Sequence, residues 1–481
     1  MKSMRLSEII EVAGGAPQPA AGDDPAVSGI CTDSRTLRPG ELFVPLVGEH
    51  HDGHDFIPAA FEQGAVASLS SREDSLEPGR RLVKVTDTLG ALEDLALHNR
   101  GELSFAVVAI TGSVGKTTTK EFLRSILGTE FTVAAAPKSF NNRLGVALTL
   151  LEADEDTEHL VVEMGTSAKG ELSYLSGRVR PERILITTVA EAHLEGLETI
   201  DGVIEAKAEI LDGLAGGGQV YLNPGVPGYE VFRSRLSQEP RTFGSSEADF
   251  PLEKGPRAEP SRAGQLFKVS EEEYTLGLPG EHNVVNASGA IAVALDLGMS
   301  PDSIRRGLAL CSLPPGRFNV QTGGDAVFVD DSYNANPCSM EAAFGAFADL
   351  CGGSVGGRNI AVLGEMRELG ESSRHYHEEL GRSLAGFDMN ILVTTGGDSR
   401  HLSEAFVEEL QSLGRAEETT TVHFEDLRAA KGYLAAEIKP GDRILFKASN
   451  AVGLGPLAEE LRETARQAER ETSICLNTSS D

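Results

Sequence analysis

The segment Thr111-Gly112-Ser113-Val114-Gly115-Lys116-Thr117-Thr118-Thr119 is the part of this chain best equipped for chemistry. Gly112 and Gly115 let backbone N–H groups, including those of Ser113 and Val114, approach and wrap phosphate oxygens. The helix that opens at this point adds its positive N-terminal partial charge. Lys116 is placed to reach the β- and γ-phosphates of a nucleotide, and the Thr117 hydroxyl, with Thr118 beside it, suits Mg²⁺. Two residues separate the glycines here, where the general phosphate-loop pattern has four. A plain glycine turn between strand and helix is the other local reading.

Three more residues have the right chemistry to serve such a loop. Glu163 closes the apolar run Leu160-Val161-Val162, at the strand edge where doubly wound sheets bind ligands. It reads either as a Mg²⁺ carboxylate or as a helix-start cap. His193 follows Thr187-Thr188-Val189-Ala190-Glu191-Ala192, just past another apolar run, and reads equally as a loop histidine. Lys207 sits in Glu205-Ala206-Lys207-Ala208-Glu209 and by itself reads as a solvated, charge-paired helix face.

The elements around these residues predict an α/β protein. Residues 105–110 are a continuous apolar run, the mark of a buried parallel strand. Runs at 160–162 and 183–189 follow, with helical patterns between them, so a doubly wound parallel sheet is expected. Before it, strands at 41–47 and 65–69 and a helix at 56–63 predict a small α/β unit over 1–102. Polar, proline-bearing residues 245–273 read as a β-rich excursion within the central unit, 103–314. Leu313-Pro314-Pro315-Gly316-Arg317 reads as a linker. A third unit, 315–470, has strands at 327–329, 359–363, 390–394 and 443–446 and helices at 340–350, 372–384 and 457–470. Residues 471–481 read as a frayed polar tail.

Composition narrows the function classes. With 481 residues, 40% hydrophobic and 24% charged, the chain has the make-up of a multidomain globular protein. A formal net charge of −30 argues against a broad nucleic-acid face. Five scattered cysteines without a C-x-x-C pair argue against a disulfide framework or structural zinc. Glu8 and Glu11 near the start and the lack of a long apolar run predict neither signal peptide nor membrane insertion. A cytoplasmic monomer is expected.

Taken together, the motifs resemble the Mur ligases of peptidoglycan synthesis. GSVGKTTT, VVEMG, AEAHLEGL and EAKAEIL occur in that family's order. LPGEHNVVNASG, PPGRFNV, DDSYNANP, AVLGEMRELG and LFKASNAVGL continue it, and TDSRTLRPGELFVPL with DGHDFI looks like the family's UDP-binding unit. DDSYNANP together with GEMRELG is most similar to the members that add D-alanyl-D-alanine.

The resemblance implies a small UDP-binding domain, a central phosphate-loop ATPase domain and a C-terminal Rossmann-like domain. It implies ATP and two Mg²⁺ ions as the nucleotide and metals. Thr117 and Glu163 would hold one ion, and His193 and a carbamylated Lys207 the other. Asn283 would face adenine, and Arg317 and Asp331 would reach ribose or phosphates. Lys116, His193, Lys207 and Arg317 would carry catalysis. Ser34, Arg35, Asn141, Asn142, Asn334, Asn336, Lys447 and Ser449 would contact a UDP-N-acetylmuramoyl tripeptide and D-alanyl-D-alanine. Several positions depart from the family pattern. Ser167 and Ala168 replace a frequent Asn-His, Ala147 a proline, and Ala448 and Asn450 the glycine and arginine of K-G-S-R.

Overall fold

A computed structural model of the chain describes residues 1–17, 23–48, 51–72, 80–255, 264–352 and 356–478. Three mixed α/β units follow one another. In the first, strands Gly29–Cys31, Glu41–Phe43, Ala67–Ser70 and Leu82–Lys84 pair in parallel, and Ala16–Pro17 closes the edge antiparallel. The strand expected at 41–47 ends at Phe43. Pro45 has no N–H to continue a ladder. The expected helix is Ile57–Glu62, entered through the 3₁₀ turn Gly53–Phe56.

The central sheet is wholly parallel. Its order is Arg241–Thr242, Gln219–Leu222, Arg183–Ile186, Ala106–Thr111, His159–Glu163, Val133–Ala135. After Ala106–Thr111 the chain builds one half of the sheet, then crosses to build the other. The first strand therefore lies at the reversal, where ligands bind such sheets. Glu163 pairs in register with Ile110, and Ile186 with Thr111. That alignment brings the loops after three strands side by side. Val107 to Ile110 are fully buried, as their unbroken apolar run predicts.

Helix Lys116–Leu127 buries Phe122, Leu123, Ile126 and Leu127 in the same core as helix Glu281–Asp296. Burying four such side chains contributes on the order of 6–12 kcal/mol, which holds the phosphate loop's helix firmly to the sheet. The β-rich excursion is the antiparallel trio Leu252–Lys254, Gln265–Val269 and Glu272–Leu276. Residues 256–263 of the expected excursion lie outside the described residues.

The third sheet runs Asn319–Gly323, Ala326–Asp330, Arg443–Lys447, Asn359–Gly364, Ile391–Thr395, Thr420–Phe424. Its first pair is antiparallel and the others are parallel. Strand Thr420–Phe424 and helices Ser399–Ser412 and Leu427–Glu437 add to the expected elements. The strand is a half-buried edge without an apolar run, so its signal is weak. The last helix, Leu454–Thr478, starts before and runs beyond the expected 457–470, into the expected tail. Residues 457–470 are rich in Glu, Arg and Ala, all good helix formers, so the helix is well established where the polar tail begins. Residues 479–481 lie outside the described residues. No helix is long and apolar enough to cross a membrane among the described residues.

Candidate active site

The phosphate loop turns on two glycines that nothing larger could replace. Gly112 has φ 150° and Gly115 φ 89°. A Cβ on Gly112 would lie 1.9 Å from Thr187 Oγ1, and one on Gly115 2.5 Å from Asn286 Oδ1. Ser113 N donates to Thr188 O at 2.6 Å, and Ser113 Oγ donates to Ala190 O at 2.8 Å. The segment just past strand Arg183–Ile186 therefore clamps it. Gly115 precedes the helix without any side-chain cap, which leaves the first helical N–H groups available to a ligand.

Lys116 folds back over this loop, Nζ donating to Gly112 O at 2.6 Å. Burial pushes its pKa down to about 8, against the attraction of Glu163 and with the help of Arg317. Thr117 Oγ1 donates to Glu163 Oε2 at 3.2 Å, and Ser139 Oγ donates to the same oxygen at 2.9 Å. Glu163 is buried, and its Oε1 has no hydrogen-bond donor. The Lys120 ammonium lies 3.7 Å from this oxygen without a hydrogen bond, so its lone pairs stay open to a further cation.

The third unit completes the site. Arg317 Nη2 donates to Thr117 Oγ1 at 3.0 Å, while its guanidinium carbon stands 4.0 Å above the centre of the Tyr333 ring. Asp331 Oδ2 accepts from Lys447 Nζ at 2.6 Å, and Lys447 also donates to Asn334 O at 3.1 Å. His193 Nδ1 lies 2.5 Å from Glu368 Oε2, in contact but out of line for a hydrogen bond. This contact keeps the Glu368 carboxyl below its usual range. Backbone bonding backs it up, since Glu195 N donates to Glu368 O at 3.2 Å. Together these contacts enclose a cleft of about 260 Å³ between the central and third units.

Three stretches match known families: residues 26–100 the "Mur ligase family, catalytic domain", 110–294 the "Mur ligase middle domain" and 316–450 the "Mur ligase, glutamate ligase domain". The UDP-N-acetylmuramoyl-tripeptide--D-alanyl-D-alanine ligase of Bacillus subtilis is 33% identical, over 95% of this chain and 98% of its own. The chain belongs to the Mur ligase family. The enzyme of the same name from Escherichia coli is 33% identical over 84% of this chain and 88% of its own. MurF from Acinetobacter baumannii superposes with a TM-score of 0.80 at 29% identity, covering 96% and 99% of the two chains. A MurF ligase from Thermotoga maritima in complex with ADP gives 0.75 at 28% identity, covering 92% and 98%.

In this Mur ligase the cleft gathers most of the residues picked out from the sequence. Ser113, Val114, Gly115, Lys116, Thr117, Thr118, Asn141, His193, Asn283, Arg317, Asp331, Asn334, Asn336 and Lys447 line it. Glu163 and Lys207 lie buried behind that lining, and Gly112 sits in the turn. Lys207 is not a solvated face: it is 1% exposed, and its side chain has no hydrogen-bond or ion-pair partner among the described residues. Burial and the nearby Lys116 charge push its pKa well down.

Asn142 caps helix Arg143–Leu151, its Oδ1 accepting from Gly145 N at 2.9 Å, and borders a second cavity of about 750 Å³. That cavity shares Lys116, Asn141, His193 and Glu368 with the cleft. Ser34 and Arg35 stand apart on a turn of the first unit, where Arg35 pairs with Asp33 at 2.7 Å. Ser449 does not face the cleft; its Oγ accepts from Arg367 N at 2.9 Å and braces the GEMRELG loop. Sequence reasoning passed over Ser139, His282, Asn286, Tyr333 and Glu368. His282 and Glu368 lie inside motifs already recognised, which was the available signal. Asn286 and Tyr333 lie inside such motifs too, whereas Ser139 has no such signal, because only packing brings it to the loop.

Proposed function

We propose that this chain joins D-alanyl-D-alanine to a UDP-N-acetylmuramoyl tripeptide in the cytoplasm, with ATP converted to ADP and phosphate. The tripeptide's terminal carboxylate attacks the γ-phosphorus, and ADP departs. The dipeptide amine then attacks the acyl carbon of the resulting acyl phosphate, loses its proton, and expels phosphate. The observation that carries this reading is the bond from Arg317 to Thr117, since it sets a cation from the third unit onto the phosphate loop of the second. Lys116 and Arg317 then flank the place where two anions must meet. Holding three substrates in line supplies much of the rest. The division of labour is residues 1–102 for the UDP precursor, 103–314 for ATP and 315–470 for closure over the nucleotide.

Thr117, Ser139 and Glu163 converge on one point, and the free Glu163 Oε1 fits a hard cation. Mg²⁺ bound there neutralises charge on the phosphate oxygens. A second ion falls to His193 and to Lys207 as its carbamate. A buried lysine without a partner is costly as a cation. As a neutral amine it can add CO₂ at Nζ and release one proton, which leaves oxygen ligands in place of a positive charge. Asn334 and Asn336 face the dipeptide, each with an amide that suits a peptide group. His193 joins the two sides of the cleft through Glu368, while Lys447 and Asp331 pair within the third unit and fix its wall.

The deciding assay is phosphate release with ATP, UDP-N-acetylmuramoyl tripeptide and a panel of amines. D-alanyl-D-alanine should be preferred over single amino acids. Preference for a diamino acid, or release that ignores the amine, overturns the reading.

A further inference from the structure

Lys120 is a second lysine on the helix of the phosphate loop, and it never reaches the cleft. It is fully buried. Its Nζ donates to Ala136 O at 2.6 Å and to Lys138 O at 3.2 Å. It also lies 2.8 Å from Glu121 Oε1 and 3.7 Å from Glu163 Oε1. A buried ammonium persists only where acceptors surround it. An aliphatic side chain would fill the same core space without that demand, so packing alone does not account for a lysine here.

Its partners belong to three separate parts of the nucleotide site. Glu121 is on its own helix, next to the turn that carries Lys116 and Thr117. Glu163 ends the neighbouring strand. The carbonyls of Ala136 and Lys138 belong to the segment that presents Ser139 and Asn141. Ser139 in turn bonds both Thr117 and Glu163. One ammonium therefore ties the helix, the strand end and the loop together from the core side.

We propose that Lys120 is a positioning residue that preforms the Mg²⁺–nucleotide site by orienting Glu163 and tethering the segment that carries Ser139. The inference rests on the Mg²⁺ reading above. Glu163 Oε2 is committed to Ser139 and Thr117, whereas Oε1 faces Lys120 at 3.7 Å without a hydrogen bond. Attraction at that distance aims the carboxylate and leaves the oxygen's lone pairs free. Partners one shell behind a metal site act in this way, by orienting ligands before the ion arrives.

The test is calorimetric binding of ADP to the full chain across a Mg²⁺ series, for the unchanged protein, Lys120→Met and Lys120→Gln. Met keeps the volume, and Gln keeps a donor for the two carbonyls while removing the charge. The Mg²⁺ needed for half-maximal ADP binding should rise about tenfold or more in both variants. Binding of the UDP-tripeptide, read in the same instrument, should stay within about twofold, the noise of such comparisons. An unchanged Mg²⁺ requirement in either folded variant overturns the inference. So does equal weakening of ADP and UDP-tripeptide, which is the mark of a merely structural lysine. If neither variant folds, Lys120 is a residue of core stability and the positioning role falls. ADP binding to the unchanged protein that ignores Mg²⁺ overturns the metal reading itself, and this inference with it.

Discussion

Arg317 and Thr117 are joined by a hydrogen bond of 3.0 Å although 200 residues separate them in the chain. The guanidinium carbon sits over the Tyr333 ring, 4.0 Å from its centre, while Nη2 reaches the phosphate loop. Gly316 lets this happen: its φ is 77°, and Tyr333 N donates to its carbonyl at 3.1 Å. The linker read from PPGR thus also aims the arginine.

Arg317→Ala should lower turnover by about 10- to 100-fold, the loss expected for a charge-assisted contact of about 1.5–3 kcal/mol. Arg317→Lys should recover little, because a point charge cannot reproduce the stacked fork. Steady-state phosphate release checks both. The KM for UDP-tripeptide should hardly move, and a change confined to that constant would show that Arg317 serves another substrate.

Lys207→Ala should be nearly inactive and partly restored by short carboxylic acids, which can refill an oxygen ligand position. A spectroscopic readout is independent of turnover. With ¹³C-bicarbonate the unchanged protein should give a carbamate carbon resonance that Lys207→Ala lacks. No resonance, or full activity of the variant, returns Lys207 to an unmodified buried amine.

Asn336 does two things at once, and substitutions can separate them. Its Oδ1 caps helix Pro337–Cys351 by accepting from Ser339 N at 2.8 Å, while the residue also borders the cleft. Asn336→Ala should lose about 1 kcal/mol of stability with the cap. It should also weaken dipeptide use by about 1–3 kcal/mol if a buried partner is left unpaired. Asn336→Asp retains the cap oxygen and should keep its stability, yet should still raise the KM for D-alanyl-D-alanine. Normal dipeptide kinetics in both variants would leave Asn336 as a cap alone.

His282 supplies a pH effect. Burial holds its pKa down to about 4, with Lys447 lowering it further and Asp331 opposing. The unfolded chain, near the ordinary value of about 6.5, binds the proton more readily. Stability contributed by this group is therefore complete above about pH 6.5 and is lost as pH falls from there towards about 4. Denaturant unfolding of Asn-for-His protein, His282→Asn, should show a shallower decline over that window than the unchanged chain. Parallel declines would sink this assignment.

Much of the architecture was legible in local patterns. The apolar runs announced the parallel strands, and Gly112, Gly115, Lys116 and Thr117 announced what sits at the end of the first. These signals are short-range: a strand's burial, a glycine's φ and a helix cap are each decided within a few residues. Glu163 was legible for the same reason, as a carboxylate ending an apolar run.

What only the tertiary structure decided is where charged side chains lie once the units pack. Lys207 between two glutamates looks solvated, yet Glu205 pairs with Arg235, Glu209 accepts from Gly170 N, and the lysine is left inside. Lys120 likewise sits in a stretch that reads as an ordinary helix. The bonds from Arg317 to Thr117 and the contact of His193 with Glu368 join separate units of the chain. No local periodicity encodes such pairs. They exist because the sheet register sets three strand ends abreast and the third unit closes over them, and that geometry is a property of the packed whole.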